Sequence, residues 1–560
     1  MEYFISKSHG LMVLGQIPAI IMKTNNLGGG GGGTPSTKTL QSGQLSRVGE
    51  NGFEVKNYRD LPHTERNLDA DNGSNGFGRV FMDANEFREM GHQVVDRLAE
   101  YFDHIEERRV FPDVEPRTVK ELFRDPLPQQ PASAQAVLGE IETKLLPYCT
   151  HTGHPGYMGL ITPSPNPMGV IADFICSAIN QNLGAYSIGP SAVEIERQVV
   201  RWLTDLCGYD ENAGGNLTSG GMMANFIGLK LGRDAVTHDR AQHEGIGAAG
   251  WAVYVSEERH VSIDKAVDAI GLGRDALRPL PTDANFQVRL DALEAAIAQD
   301  KQKGSRPMCI VGVFGTTNTG AVDNIRELRR IADREGMWLH ADAAYGGGML
   351  LSHQWPMRDR GLEMADSITI DPHKWFYAPL DAGAVLVKDH HRLTASFGMK
   401  PSYLTDELDE ANERYQFYVH GFEQSRRFRG LKVWMSFKRY GARQIGEWID
   451  NNVRQAKHLY SLAEGHAEFE AATNPPMSAI CIRYKNGGLS ESESKHLHAE
   501  VARRVEQGGR FWISTTELKG KSWFRINPVN FRTREKHMDE LFALLQQECR
   551  MILQGNGVLT

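Results

Sequence analysis

Cysteine is scarce and scattered. Cys149, Cys176, Cys207, Cys309, Cys481 and Cys549 are the only six in 560 residues. No two stand at C-x-x-C spacing, so neither a zinc site nor a disulfide framework is indicated. They read as buried free thiols of a reducing compartment. No run of 18 apolar residues occurs, which excludes a membrane-spanning helix on hydropathy. The apolar stretch 11–22 lacks the basic start and small-residue cleavage site of a secretion signal. A basic excess is missing too. Lys and Arg total 62 against 70 Asp and Glu, for a net charge of −8, which argues against a nucleic-acid partner. These absences point to a cytoplasmic protein with no nucleic-acid partner and no membrane span, and no metal site is expected.

What is present is ordinary in bulk, with 41% hydrophobic and 24% charged residues. A chain of 560 residues exceeds one hydrophobic core and predicts several units. Residues 1–80 stand apart: Gly28 to Gly33 is an unbroken glycine run, followed by a segment rich in Ser, Thr and Gln. Such a stretch buries too little apolar surface to offset its ordering entropy. It reads as a flexible leader, with Met82 as a plausible start of the folded part. From Asp83, Phe87, Met90, Val94, Val95, Leu98 and Phe102 recur at helical spacing, and a second helix is expected over 133–145. Residues 81–150 therefore read as a small helical segment.

Between 151 and 428, short apolar runs alternate with helical patterns. Strands are expected at 251–255, 308–314, 338–340, 367–370 and 383–387, with a helix at 325–335. This alternation predicts an α/β fold with a mostly parallel sheet covered on both faces. Ligands of such sheets bind at the carboxyl ends of the strands. Residues 429–560 begin with a long helix from Leu431. Strands at 477–484, 511–515 and 523–527 and a closing helix at 536–547 then make a small α+β domain.

The residues with chemical content follow the expected strands. Lys374 lies in Asp-Pro-His-Lys-Trp (371–375), just past the strand at 367–370. Desolvation there can turn an amine into a nucleophile toward an aldehyde. Asp342, in His-Ala-Asp-Ala-Ala-Tyr (340–345), is a carboxylate at the end of an apolar strand and needs a cationic partner. Gly220 and Gly221 precede a helical pattern, where backbone N–H groups can hold a phosphate. Thr317, in Gly-Thr-Thr-Asn-Thr-Gly (315–320), follows another strand. His260 follows the strand at 251–255, where an imidazole can stack on a flat ring or relay protons. Taken singly, each is ordinary: a solvated lysine, a capping carboxylate, a turn and a surface histidine.

In this order the motifs resemble the group II pyridoxal-phosphate decarboxylases, in particular the aromatic L-amino acid decarboxylase branch. The resemblance covers about 82–550 and is supported by Arg-Arg-Phe-Arg-Gly-Leu-Lys-Val-Trp (426–434). It implies fold type I: a mostly parallel, seven-stranded type of sheet with helices on both faces, an N-terminal helical clasp and a small C-terminal domain. It also implies a homodimer with the active site at the interface, and pyridoxal 5'-phosphate as cofactor.

Residue by residue, Lys374 matches the Schiff-base lysine, Asp342 the pyridinium partner, and His260 the stacking histidine. Gly220, Gly221 and Met222 match the phosphate loop, with Ser367 and His373 near the same group, and Thr317 and Ala344 also beside the cofactor. Tyr403 matches a mobile-loop tyrosine that protonates the substrate carbon after CO₂ leaves. Relatives that make aldehydes oxidatively tend to carry phenylalanine there. Asp371 departs from the Asn usual in this family.

Tyr157, Leu160 and Ser425 match positions near the substrate side chain. They leave its identity open between an aromatic amino acid (Tyr, DOPA, Trp or Phe) and histidine, glutamate, aspartate or 2,4-diaminobutyrate. The rivals are an aldehyde synthase, another fold-type-I enzyme such as an aminotransferase, and a non-catalytic scaffold.

Overall fold

The computed structural model describes residues 82–247, 250–355, 361–399, 414–485 and 488–555, and the backbone alone of 2–5, 12–15, 20–22 and 38–40. The chain divides into two compact units, Met1–Ala84 and Asn85–Thr560. In the first, Glu2–Ile5 pairs antiparallel with Met12–Gly15, and Ile20–Met22 with Lys38–Leu40. The rest of the expected leader lies outside the described residues.

The second unit opens with helix α1 (Ala84–Asp103), none of whose residues is buried in this chain. Its Phe87 ring stacks at 6.3 Å on Phe174 of α2 (Pro167–Ile179). The expected helix at 133–145 is a helical turn, Ala134–Glu140, that loosens into a π-helical turn over Ile141–Leu145. Helix α3 (Pro190–Cys207) then leads into the large sheet.

That sheet has seven strands: β1 (Gly214–Thr218), β2 (Trp251–Ser256), β3 (Leu277–Leu280), β4 (Arg306–Val313), β5 (Trp338–Asp342), β6 (Ser367–Ile370) and β7 (Gly383–Val387). Their order is β1-β7-β6-β5-β4-β2-β3. Every pairing is parallel except the two made by β7, which is antiparallel to both neighbours. The central strands are buried throughout and mainly apolar, as expected of a sheet covered on both faces, with His340, Asp342, Ser367 and Thr369 as buried polar exceptions. Helices α4 (Gly221–Val236), α5 (Val261–Ala269) and α6 (Ile325–Glu335) follow β1, β2 and β4. Helix α6 shows how local chemistry sets such boundaries. The Asn324 side chain accepts from Glu327 N, Gly336 closes the helix in the left-handed region, and Ile325, Leu328, Ile331 and Ala332 form its buried stripe.

Helix α7 (Gly430–Glu464) bends at Gly441, where φ is 73° and ψ 158°. Its Val433, Ile445, Ile449 and Val453 belong to the core of the large sheet, whereas Ala456, Leu459 and Ala463 belong to the next core. The boundary expected at 428/429 thus falls just before a helix that serves both cores. The second core holds an antiparallel sheet, ordered β8 (Phe469–Ala471), β9 (Ile480–Tyr484), β11 (Lys521–Ile526), β10 (Ser514–Leu518). Helices α8 (Glu491–Gly508) and α9 (Glu535–Gln554) pack with it. All six cysteines are unpaired, and no described helix is long and apolar enough to cross a membrane.

Helix α4 lies unusually close to the sheet. A Cβ at Gly228 would drive into the His340 imidazole of β5, and one at Gly232 into the Trp338 indole. Gly91 on α1 has nothing within 4 Å of the same position. Gly228→Ala should therefore lower the urea unfolding midpoint by an amount equivalent to about 1–3 kcal/mol. Gly91→Ala should leave stability unchanged or raise it by about 0.5–1 kcal/mol. Equal midpoints for the two variants would refute the close-packing account.

Candidate active site

A cavity of about 350 Å³ opens at the carboxyl ends of the parallel strands. Its wall includes Gly220, Gly221, Met222, His260, Thr317, Asp342, Ala344, His373 and Lys374. These follow β1, β2, β4, β5 and β6, the ends at which a doubly wound sheet binds ligands.

At one side, β1 turns into α4 through Gly220 (φ 147°, ψ 175°), and no side chain caps the helix. Its first N–H groups are the donors that a helix start offers to an anion. The turn is too tight for side chains. A Cβ on Gly221 would stand 2.7 Å from Asp371 Oδ2, and the Gly220 position faces the His373 ring at 3.2 Å. The backbone N–H of Ala382 donates to His373 Nδ1 at 3.0 Å. Burial holds the pKa of this imidazole below its ordinary value, so its proton sits on Nε2, toward the glycine turn.

At the other side stands Asp342. Its Oδ1 accepts from Ala344 N at 3.2 Å and its Oδ2 from the Asn225 amide at 3.0 Å. It is buried, and no lysine or arginine among the described residues pairs with it. His260 sits at the start of α5, where its Nδ1 caps the helix by accepting from Ser262 N at 3.2 Å. Burial lowers its pKa as well.

Between the two sides, Lys374 Nζ lies 3.2 Å from Asp371 Oδ2, and His373 Nε2 lies 3.6 Å from the same oxygen. The other Asp371 oxygen is buried with no hydrogen-bond partner. The small domain reaches the cavity wall through Arg525 on β11. Its buried guanidinium donates to the Thr317 carbonyl at 2.8 and 2.6 Å and to the Gly159 carbonyl at 2.7 Å.

This donor set suits pyridoxal phosphate. An uncapped helix start with a glycine turn can take a phosphate, Lys374 is an amine able to form an imine, and Asp342 is a buried carboxylate with no lysine or arginine partner among the described residues.

Ser367 requires a correction. It starts β6, at the far end of the strand, and its fully buried hydroxyl accepts from Trp338 Nε1 at 2.9 Å and meets His340 Nδ1 at 2.8 Å. It stands outside the cavity, behind it. Tyr157, Leu160 and Ser425 are also outside the wall: Tyr157 stacks on Trp512 at 5.1 Å, and Leu160 and Ser425 are exposed. Tyr403 lies outside the described residues. The sequence reading missed Asn225 and Ser262, which line the cavity beside Asp342 and His260. Asn225 stands four residues after Gly221 on α4, on the same helical face, and that spacing was the available signal.

The family described as the pyridoxal-dependent decarboxylase conserved domain matches residues 116–485. Aromatic-L-amino-acid decarboxylase of Bacillus atrophaeus is 30% identical over 466 residues, which is 83% of this chain and 96% of that protein. Phenylacetaldehyde synthase of Arabidopsis thaliana is 29% identical over 489 residues, covering 86% and 99%. Among solved structures, Oryza sativa TDC with PLP and tryptamine superposes with a TM-score of 0.80 at 26% identity, covering 85% of this chain and 99% of that one.

Proposed function

The chain belongs to the group II pyridoxal-phosphate-dependent decarboxylase family and is a carboxy-lyase, and we propose that it converts an aromatic L-amino acid to its amine and CO₂. The observation that carries this reading is the convergence of Lys374, Asp342, His260 and the uncapped α4 turn on one cavity. The aromatic assignment is supported by relatives named as aromatic-L-amino-acid and tryptophan decarboxylases.

Pyridoxal phosphate supplies the electron sink that accepts the pair left behind when CO₂ departs. Each residue then has a part in holding or moving charge. The N–H groups of Gly221 and Met222, with His373 Nε2–H, would hold the phosphate. Lys374, the one lysine in the cavity wall among the described residues, would supply the amine that holds the cofactor. Asp342 would pair with the ring nitrogen and keep it protonated, a pairing that burial would strengthen. His260, Thr317 and Ala344 line the cavity where the ring would lie, His260 as a flat group that would stack on it. Tyr403 donates a proton to the substrate Cα once CO₂ has gone. That donation separates amine formation from the oxidative route to an aldehyde, the second reading that the synthase relative favours.

Lys374→Ala should abolish turnover and the visible absorbance of the bound cofactor. Either one persisting in that variant removes Lys374 from its role. Tyr403→Phe should cut the amine yield at least tenfold, given that a positioned general acid contributes about 10²–10⁴-fold. With dissolved O₂ as the oxidant and water supplying the aldehyde oxygen, aldehyde, ammonia and hydrogen peroxide should appear instead, and an unchanged amine yield would assign the proton to another group.

We also propose a homodimer. Ile171, Phe174, Ile175 and Ile179 on α2 are exposed, with Phe174 at 53%, and they continue toward exposed Phe87 and Val95 on α1. An apolar stripe of this size in a soluble enzyme marks an interface. Ile175→Asp should halve the mass measured by sedimentation equilibrium, and a mass equal to that of the unaltered protein would refute this face.

A further inference from the structure

Behind the cavity runs a buried chain of side-chain hydrogen bonds whose direction can be worked out from its fixed donors. Trp338 Nε1–H can only donate, and it donates to Ser367 Oγ at 2.9 Å. The Ser367 hydroxyl is therefore free to give its own proton to His340 Nδ1, 2.8 Å away. Burial pushes the His340 pKa down to about 4. Its single ring proton is then on Nε2, which faces Asn225 Oδ1 at 2.9 Å, with the Thr369 hydroxyl at 3.4 Å.

Asn225 cannot be turned round, because an ionised carboxylate only accepts and Asp342 Oδ2 lies 3.0 Å from the other end of the amide. Both amide hydrogens are thus committed, one to Asp342 Oδ2 and one to Ser262 Oγ at 2.9 Å. Ser262 passes its proton to His260 Nδ1, also at 2.9 Å, the same nitrogen that caps α5. Every donor and acceptor along the path is used in one direction. His260 ends it with its remaining proton on Nε2.

We propose that Asn225 is a positioning residue that fixes the carboxylate of Asp342 and ties it to His260, so that one amide sets the two groups that meet the cofactor ring. This rests on the cofactor reading above. Geometry gives Asn225 the role: it lies one turn into α4, the helix whose first turn forms the phosphate cradle, so a single rigid element addresses both ends of the ligand. The partners it joins are far apart in the chain, 117 residues to Asp342 and 37 to Ser262. A residue that merely filled space there would not need an amide, whereas Asn225 is almost fully buried with its oxygen and nitrogen both bonded.

The test is a double-mutant cycle of Asn225→Ala and Asp342→Asn in the full chain, with Asn225→Ser as the milder alternative if the alanine variant fails to fold. Three readouts are taken: the dissociation constant for pyridoxal phosphate, the visible band of the loaded protein, and the urea midpoint of the cofactor-free protein. Removing the Asn225 amide should weaken pyridoxal phosphate binding at least tenfold in the unaltered background and less than twofold in Asp342→Asn. The visible band of the loaded Asn225 variant should move in the direction that Asp342→Asn moves it. Without cofactor, the loss of midpoint caused by the Asn225 change should also shrink when Asp342 is Asn. Binding within twofold of the unaltered protein, or equal losses in both backgrounds, would overturn the proposal. Failure of the unaltered protein to bind pyridoxal phosphate would instead overturn the cofactor reading, and the cofactor-free cycle would still decide the Asn225–Asp342 link.

Discussion

A carboxylate held at the end of a central buried strand is the constraint around which this protein is organised. Asp342 closes β5 among fully buried neighbours and has no lysine or arginine partner among the described residues. Burying an anion is costly unless hydrogen bonds or a cation meet it. The fold supplies two hydrogen bonds, from Ala344 N and Asn225, and leaves the balance to a ligand. The nearby imidazoles add little charge, because burial depresses the pKa of His260, His340 and His373 alike. Fixed charge at the site is therefore concentrated on Asp342, Asp371 and Lys374. A ligand with a cationic ring at one end and an anionic group at the other is complementary to it, provided the anion is met by neutral N–H donors. The α4 turn and His373 are donors of that kind.

The same constraint explains the packing of α4. For Asn225 to reach Asp342 and His340 across the face of the sheet, the helix must sit closer to β5 than ordinary side chains allow. Gly228 over His340 and Gly232 over Trp338 remove the atoms that would hold it off. Interiors packed at crystal-like density do not absorb an added methyl without displacement. The glycines of α4 are thus tied to the electrostatics of Asp342 even though neither touches it.

Much of this architecture was legible in the sequence, for a physical reason. Strands β6 and β7 and helix α6 fall at the residues expected, because continuous apolar runs bounded by turns, or a stripe at helical spacing between Asn324 and Gly336, carry their own local signal. Strands β1 and β3 were not anticipated. The first reads Gly-Gly-Asn-Leu-Thr and is buried only because β7 and the helices cover it, while the second is a short edge strand containing Arg278 and Pro279. At the site, Lys374 and Asp342 stood out because each breaks a local pattern at the end of an apolar run, and the glycine pair because it opens a helical pattern. Asn225 and Ser262 break none. An Asn in a helix and a Ser beside a cap are unremarkable until the fold brings together segments more than a hundred residues apart. Ser367 was placed beside the cofactor by the resemblance alone, but it starts a four-residue strand that separates it from the cavity end by roughly 10 Å at about 3.3 Å per residue.

The small domain is part of the same argument. Arg525 is a buried cation whose described partners are carbonyls and a hydroxyl, not a carboxylate. Burial lowers its pKa, the expected direction for a cation without a counter-charge. Such a group is poor evidence of stability gained, because desolvation consumes most of what its hydrogen bonds return. What it does provide is register. Two bonds to the Thr317 carbonyl and one to Gly159 fix β11 against the loop after β4 and against the segment carrying Tyr157 and Leu160. Helix α7, contributing to both cores, prevents the two sheets from moving independently. The position of Thr317 in the cavity wall therefore depends on a residue more than two hundred positions away, so a change in the packing of the small domain is transmitted to the site as a displacement of its wall.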